Sequence, residues 1–177
     1  MIATVTVLSN ELFTGIELPS SSRIPPFHLT WHVAAAYEWA GATEELETIA
    51  LTTPPFELSV DCAHVFATDC FAVVALLRES QSLESLHDRI VGAMENHSHH
   101  IDERYATRAW LPHVTLASGL SESEATSVRV AFERRAAGTS LPVGNLAFLS
   151  VDFGRFILSN VRRFNGELSG RRTARHE

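Results

Sequence analysis

The sequence predicts an α+β fold in which a βαββ-type unit occurs twice, and two antiparallel sheets line a central groove with helices outside. A short pattern of His, apolar residue, Thr and apolar residue occurs at His28 and again at His113, each time entered through a proline. Both copies alternate in polarity as strands do. Around each copy the same order follows: motif strand, helix, two strands. The repeated order predicts two lobes with pseudo-twofold symmetry.

The first half of the chain opens with an alternating strand, followed by a Gly-, Ser- and Pro-rich connection. After the motif, an acidic turn with Thr43 as a plausible cap indicates a short helix. An alternating segment and an apolar run then suggest a hairpin turning at 67–69. The predicted elements are a strand at 2–8, the motif strand at 26–33, a helix at 42–49, and strands at 56–66 and 71–77.

The second half follows the same plan. Leucine, isoleucine and methionine at helical spacing predict a helix before the second motif. Ser121 with Glu124 three residues later forms a capping box, and Gly138 ends the helix that it begins. The predicted elements are a helix at 82–98, the motif strand at 111–118, a helix at 121–137, and strands at 141–151 and 155–164.

Length and composition indicate one soluble bilobal domain over 1–166 and a flexible, arginine-rich tail over 167–177. The chain has 177 residues, of which 45 % are hydrophobic and 20 % charged, which is ordinary for a globular protein. Apolar runs are shorter than the ~20 residues that span a bilayer. The N-terminus lacks the basic region of a signal peptide. We therefore expect a cytoplasmic protein without a membrane partner, and a monomer.

The charged residues exclude several function classes. A net charge of −7 argues against a long nucleic-acid footprint, which needs many cations to neutralise phosphates. A small phosphate ester or an RNA end remains compatible. All 14 basic residues are arginines, which excludes a P-loop lysine, a Schiff base and ATP-driven ligation through an adenylated lysine.

The two motifs supply the candidate catalytic residues. With a side-chain period of two, His28 and Thr30 share one strand face, and His113 and Thr115 share another. Imidazole is the side chain whose ordinary pKa suits both acid and base work near neutral pH. Each threonine hydroxyl can donate to a phosphate oxygen as negative charge develops.

Two His-x-Thr motifs about eighty residues apart, each on a strand, resemble the 2H phosphoesterase superfamily, which includes 2′-5′ RNA ligases and 2′,3′-cyclic-nucleotide phosphodiesterases. The resemblance implies a bilobal fold that opens 2′,3′-cyclic phosphates or related diesters without a metal or other cofactor. The roles carry over to His28, Thr30, His113 and Thr115. Which histidine is the acid stays open. The reverse reaction would be an ATP-independent 2′-5′ ligation.

Five further residues are candidates for binding substrate. Arg23 and Arg108 each lie five residues before a motif histidine and either clamp phosphate or face solvent. His32 shares the expected face of the first motif, so it either borders the groove or is a polar residue farther along the strand. Trp110 and Phe27 can stack a base, although packing in the core is the favoured role.

Two other readings compete with an enzyme of this kind. The segment His97–Asp102 is rich in possible metal ligands, but it lacks a second segment with ligand spacing, so solvated side chains are favoured and no metal is expected. A binding module would keep the fold and hold a nucleotide or RNA end without cleaving it. Both motifs are intact, which favours catalysis.

Overall fold

The structure is a computed structural model. It describes residues 1–9, 15–20, 22, 26–67, 70–105, 109–136, 138–152 and 155–165. Arg23, Arg108, the turn at 68–69 and the tail 167–177 lie outside the described residues, so the expectations about them stay predictions.

The described residues form an α+β fold with three α-helices, as the sequence predicts. The elements are β1 Ile2–Val7, β2 His28–Tyr37, α1 Trp39–Thr52, β3 Phe56–Ala67, β4 Phe71–Leu77, α2 Gln81–Glu95, β5 Ser98–Ile101, β6 His113–Leu120, α3 Glu122–Ala136, β7 Ser140–Val143, β8 Asn145–Asp152 and β9 Arg155–Arg163, with a 3₁₀ turn at Glu103–Tyr105. None of the helices in this described part is long and apolar enough to cross a membrane.

The strands form one sheet, so the expectation of two separate sheets is wrong. Its order is β7-β3-β4-β6-β2-β1-β8-β9, with β5 also pairing β2. All of these pairings are antiparallel. The motif strands β2 and β6 are direct neighbours, and they meet through the pair Leu29 and Val114. Whether the two halves descend from a duplicated unit stays a prediction.

The helices cover the apolar side of the sheet. Helices α1 and α2 pack on each other and on strands of the β2-β1-β8-β9 half, while α3 packs on β3, β4 and β6. Leu83, Leu86, Ile90 and Met94 of α2 are buried, at the helical spacing that the sequence shows. Each such side chain contributes about 2 kcal/mol of transfer free energy. One continuous core therefore supports both motif strands from behind.

The predicted start of α3 agrees with the structure, and the predicted start of α1 does not. The capping box of α3 is confirmed, because the Ser121 amide donates to Glu124 Oε2 at 2.8 Å and the Glu124 amide donates to Ser121 Oγ at 3.4 Å. Thr43 is not the cap of α1. That helix begins earlier, after Glu38, whose amide donates to the carbonyl of His97 at 2.8 Å.

Two segments differ from the prediction because their strand partners lie far away in sequence. Residues 98–101, which the sequence predicts to be the end of a helix and solvated residues after it, form strand β5 against the end of β2. The single strand expected at 141–151 divides at Gly144. Its first part pairs β3 in one half of the sheet, and its second part pairs β1 in the other half.

Candidate active site

The two motifs lie side by side on one face of the sheet. From the pair Leu29 and Val114, one step in each direction along antiparallel strands sets His28 opposite Thr115, and Thr30 opposite His113. Opposed residues have Cβ atoms about 5 Å apart. All four side chains are partly exposed, whereas Leu29 is buried on the other face. The structure therefore brings the four predicted catalytic residues into one compact cluster.

A backbone carbonyl two residues upstream orients each motif histidine. Nδ1 of His28 lies 2.5 Å from the carbonyl of Pro26, and Nδ1 of His113 lies 2.7 Å from the carbonyl of Leu111. A carbonyl can only accept, so Nδ1 carries the proton in both rings. The basic nitrogen is then Nε2, which has no hydrogen-bond partner among the described residues in either ring. Each Nε2 is available for proton transfer.

Burial lowers the pKa of both motif histidines below the ordinary value. For His28, the Pro26 carbonyl partly opposes this effect, and the charge of His113 lowers the pKa further. For His113, the Leu111 carbonyl opposes the effect of burial. The charge effect means that a proton on one ring disfavours a second proton on the other. Acid-base catalysis by the pair would require one protonated and one neutral ring.

The threonine hydroxyls complete the cluster. Within the described residues, neither Thr30 nor Thr115 uses its hydroxyl in a hydrogen bond, and both side chains are partly exposed. Each lies on the face of the histidines and opposite the histidine of the other motif. The cluster therefore presents two hydroxyl donors beside two imidazoles, an arrangement suited to a phosphate group.

A β-bulge follows the threonine in each motif strand. On β2, Thr30 pairs Val5 and His32 pairs Thr4, so Trp31 is the extra residue. On β6 the corresponding extra residue is Leu116, because Thr115 pairs Val74 and Ala117 pairs Val73. Bulges occur often beside active sites, where they redirect side chains. Here they end the strict alternation immediately after each motif.

The bulge on β2 removes His32 from the face of the motif, so the expectation that it borders the groove is wrong. His32 is 0 % exposed, and its Nδ1 lies 2.6 Å from the hydroxyl of Tyr37. Its Nε2 is buried without a partner among the described residues. Burial, with a smaller effect of the charge of His87, lowers the pKa of His32 to about 4. It is a neutral core histidine at pH 7.

Trp110 and Phe27 pack against the core, which is the role favoured for them from the sequence. The indole of Trp110 stacks on His87 with a ring-centroid distance of 3.8 Å and an interplanar angle of 10°. Its Nε1–H donates to the carbonyl of Thr30 at 3.0 Å. One face and the polar edge of Trp110 are therefore occupied by protein.

A cavity of about 490 Å³ opens beside His113. Its lining includes His64 and Phe66 of β3, Tyr105, Trp110 and His113. The ring of Phe66 meets His113 edge to face, with centroids 5.1 Å apart at 89°. The alternation of strand 56–66 places His64 and Phe66 on one face, but it does not show that this face adjoins the second motif. Sequence reasoning therefore missed Phe66 and Tyr105.

Two side chains at the ends of the histidine-rich segment around β5 have charged neighbours. His97 Nδ1 lies 3.6 Å from Glu38, and Asp102 forms an ion pair with Arg104. The hydrogen bonds from Arg104 lower the pKa of Asp102. No group of three or more histidines, cysteines, aspartates or glutamates within the described ranges has the arrangement of a metal site.

The chain matches the model of one known protein family. The model of the 2′-5′ RNA ligase superfamily matches residues 16–155, which include both motifs. The chain belongs to the 2′-5′ RNA ligase superfamily. This match confirms the resemblance to 2H phosphoesterases, and it supports a phosphoesterase or ligase as the general kind of enzyme.

Solved structures of this superfamily share the fold. The protein TT0787 of Thermus thermophilus has a TM-score of 0.62 at 16 % identity, covering 94 % of this chain and 98 % of that one. E. coli LigT, complexed with 3′-AMP or with NADP⁺, has TM-scores of 0.58 and 0.56 at 16 % and 17 % identity, each covering 92 % of this chain and 96 % of LigT. A search of curated proteins finds no match.

Proposed function

We propose that the protein is a phosphodiesterase that opens 2′,3′-cyclic phosphates, or closely related small nucleotide and RNA-end phosphodiesters, by acid-base catalysis between His28 and His113. One observation carries the proposal. On neighbouring strands, both rings are held through Nδ1 by a carbonyl two residues upstream, and each histidine is next in sequence to one member of the pair Leu29 and Val114, which joins the strands. The two Nε2 atoms can therefore serve opposite sides of one phosphorus.

The chemistry needs one neutral and one protonated histidine. The neutral Nε2 takes a proton from water as the water oxygen bonds to phosphorus. The bond from phosphorus to one ring oxygen of the ribose breaks, and the protonated Nε2 gives its proton to that oxygen. The product is a phosphomonoester, and exchange of protons with solvent restores the starting pair. Each acid or base group of this kind typically raises the reaction rate about 10²–10⁴-fold.

Thr30 and Thr115 stabilise the charge that builds on the two non-bridging oxygens. Their hydroxyls lie on the same face as the imidazoles and are not engaged by other described residues. A single hydrogen-bond donor to a developing oxyanion raises kcat about 10²–10³-fold. Side chains thus account for both proton transfers and for the charge on phosphate, so the proposed reaction requires no metal. The same groups in reverse would join a ribose hydroxyl to a cyclic phosphate without ATP.

The nucleoside part of the substrate fits the cavity beside His113. Its volume of about 490 Å³ is within the range of small-molecule sites, and its aromatic lining suits a base. LigT, which has the same fold, is seen in complex with 3′-AMP and with NADP⁺. The net charge of −7 also favours a small nucleotide or RNA end over a long nucleic acid.

Turnover of the four 2′,3′-cyclic nucleoside monophosphates tests the proposal. Phosphorus NMR with a chelator present is expected to show conversion to a single monophosphate isomer, which identifies the leaving ring oxygen. His28→Ala and His113→Ala are expected to abolish conversion. His99→Ala, which changes an exposed histidine on β5, serves as the matched control.

Three outcomes would contradict the proposal. Turnover that survives either motif substitution removes the two-histidine mechanism, and turnover that disappears with the chelator removes metal independence. If neither the cyclic nucleotides nor RNA ending in a cyclic phosphate is converted, but nucleotide binding is measured, the chain is the binding module that the sequence left as the alternative.

A further inference from the structure

The two halves of the sheet are joined by very little strand pairing. In the described part of the chain, the ladder between β2 and β6 consists of the single pair Leu29 and Val114. By contrast, β1 pairs β2 at every position from Ile2 to Val7. The catalytic cluster proposed above spans this narrow seam, since each half supplies one histidine and one threonine. Something other than ladder hydrogen bonds must fix the spacing of the motifs.

Trp110 bridges the seam. Its indole Nε1–H donates to the carbonyl of Thr30 at 3.0 Å, across 80 positions of sequence. Thr30 is the residue next to Leu29, through which β2 pairs with β6. The indole therefore adds a hydrogen bond between the two halves directly beside this single ladder pair.

The indole itself is held rigidly. It stacks on His87 at a centroid distance of 3.8 Å, and it also stacks with Trp31 at 5.4 Å. His87 is 2 % exposed, and its Nε2 contacts the carbonyl of Tyr105 at 3.1 Å. Side chains of helix α2 and of strand β2 thus both contact the ring.

Trp110 is also tied closely to the second motif. It lies three residues before His113, and the carbonyl that orients the His113 ring belongs to the next residue, Leu111. A shift of the indole would therefore move the orienting carbonyl and the Thr30 backbone relative to each other. Displacements of about 1 Å between reacting groups can cost about 100-fold in rate.

We infer that Trp110 is a positioning residue, which sets the distance between the two catalytic motifs through its indole N–H bond to Thr30. It touches the backbone of one motif and precedes the histidine of the other. This inference rests on the proposed function. It also makes a claim about the geometry of the histidine pair that can be measured without turnover.

A matched pair of substitutions tests the inference. Trp110→Phe removes the indole N–H at the seam. Thr6→Val removes the acceptor of a similar bond, from Trp31 Nε1 to Thr6 Oγ1 at 2.9 Å, within the well-paired β1–β2 region, and it keeps both tryptophan rings. Thr6 is 0 % exposed, so leaving Trp31 Nε1 without this partner is also expected to lower stability. We expect kcat to fall about 10–100-fold in Trp110→Phe with KM changed less than about 3-fold, and kcat to stay within about 3-fold in Thr6→Val.

NMR titration of the two motif histidines provides the readout independent of activity. In Trp110→Phe the pKa of His28 is expected to rise toward the ordinary value, because the charge of His113 then acts from farther away; in Thr6→Val it should not change. If Trp110→Phe does not fold, benzothienylalanine at position 110 replaces only the N–H by sulfur and keeps the ring.

Two results would overturn the inference. One is unchanged kcat and histidine titration in the folded position-110 variant, and the other is an equal loss of kcat in Trp110→Phe and Thr6→Val. If the wild type converts no diester, the proposed function fails. The titration then still decides whether Trp110 sets the spacing of the histidines.

Discussion

The two motif strands, β2 and β6, share a local design and differ in their surroundings. Both hold a histidine through a carbonyl two residues upstream, and both bulge immediately after the threonine. The second motif lines a cavity of about 490 Å³, and an aromatic ring contacts its histidine. For His28, the charge of the other histidine is an additional cause that lowers its pKa. Local sequence thus sets the shape of each motif, and distant elements differentiate the two.

Removing either histidine should have the largest effect, and the two losses should not add. His28→Ala and His113→Ala are each expected to lower kcat/KM about 10²–10⁴-fold, because each removes one half of a coupled proton transfer. The double variant should lose little more than the worse single variant. Steady-state kinetics on a converted cyclic nucleotide measures this, and fully multiplicative losses would show that the motifs act independently.

The residue after the bulge differs between β2 and β6, and on β2 it should make the stability of the protein depend on pH. His32 follows the first bulge, and Ala117 follows the second. Because burial lowers the pKa of His32 to about 4, the folded state binds its proton less readily than the unfolded state. The contribution of neutral His32 to the free energy of unfolding is therefore fully present above pH 6.5. It is lost as the pH falls from about 6.5 to 4, and the loss amounts to about 3 kcal/mol.

Urea unfolding at pH 7 and pH 4 measures this loss. His32→Gln should reduce the difference in unfolding free energy between the two pH values by about 3 kcal/mol. His99→Gln, at an exposed position, should leave the wild-type difference. If His32→Gln also leaves it unchanged, His32 is not neutral and buried as the bulge requires.

The threonines should have a smaller effect that is similar in both strands. Thr30→Val and Thr115→Val keep the shape and remove the hydroxyl, so kcat is expected to fall about 10–100-fold with a smaller change in KM. Thr126→Val on the exposed face of α3 is the control. If kcat falls in only one of the two threonine variants, only that threonine binds a non-bridging oxygen of the phosphate.

The smallest expected effect lies in the cavity beside the second motif. Phe66→Leu removes an aromatic ring from the cavity lining, and stacking of a base on an aromatic ring is worth about 1–3 kcal/mol. We therefore expect KM for cyclic nucleotides to rise about 5-fold, with kcat less affected. Initial rates over a range of substrate concentration measure both constants, and an unchanged KM would place the nucleoside elsewhere.

The sequence was most informative where structure depends on near neighbours. Strand β4 and the capping box of α3 were predicted correctly from apolar runs and from a Ser-to-Glu spacing. The proposed catalytic cluster could also be predicted in part, because period-two alternation places His28 with Thr30 and His113 with Thr115. These features need only the residues within one element.

The features that could not be predicted from the sequence depend on how strands pair. A bulge is a property of two paired strands, so alternation alone placed His32 on the wrong face. Strand β5 forms because β2 extends past the motif and pairs it, which the helical spacing before it concealed. The single sheet follows from one pair, Leu29 with Val114, which joins strands about eighty residues apart.

The pH dependence of kcat/KM tests the central claim, that the histidines share one proton during catalysis. With both protonated there is no base, and with both neutral there is no acid, so activity should fall on either side of a maximum. Burial lowers the pKa of both His28 and His113, so both limbs and the maximum should lie below about pH 6.5. A profile that rises through a single limb to a plateau would contradict the account.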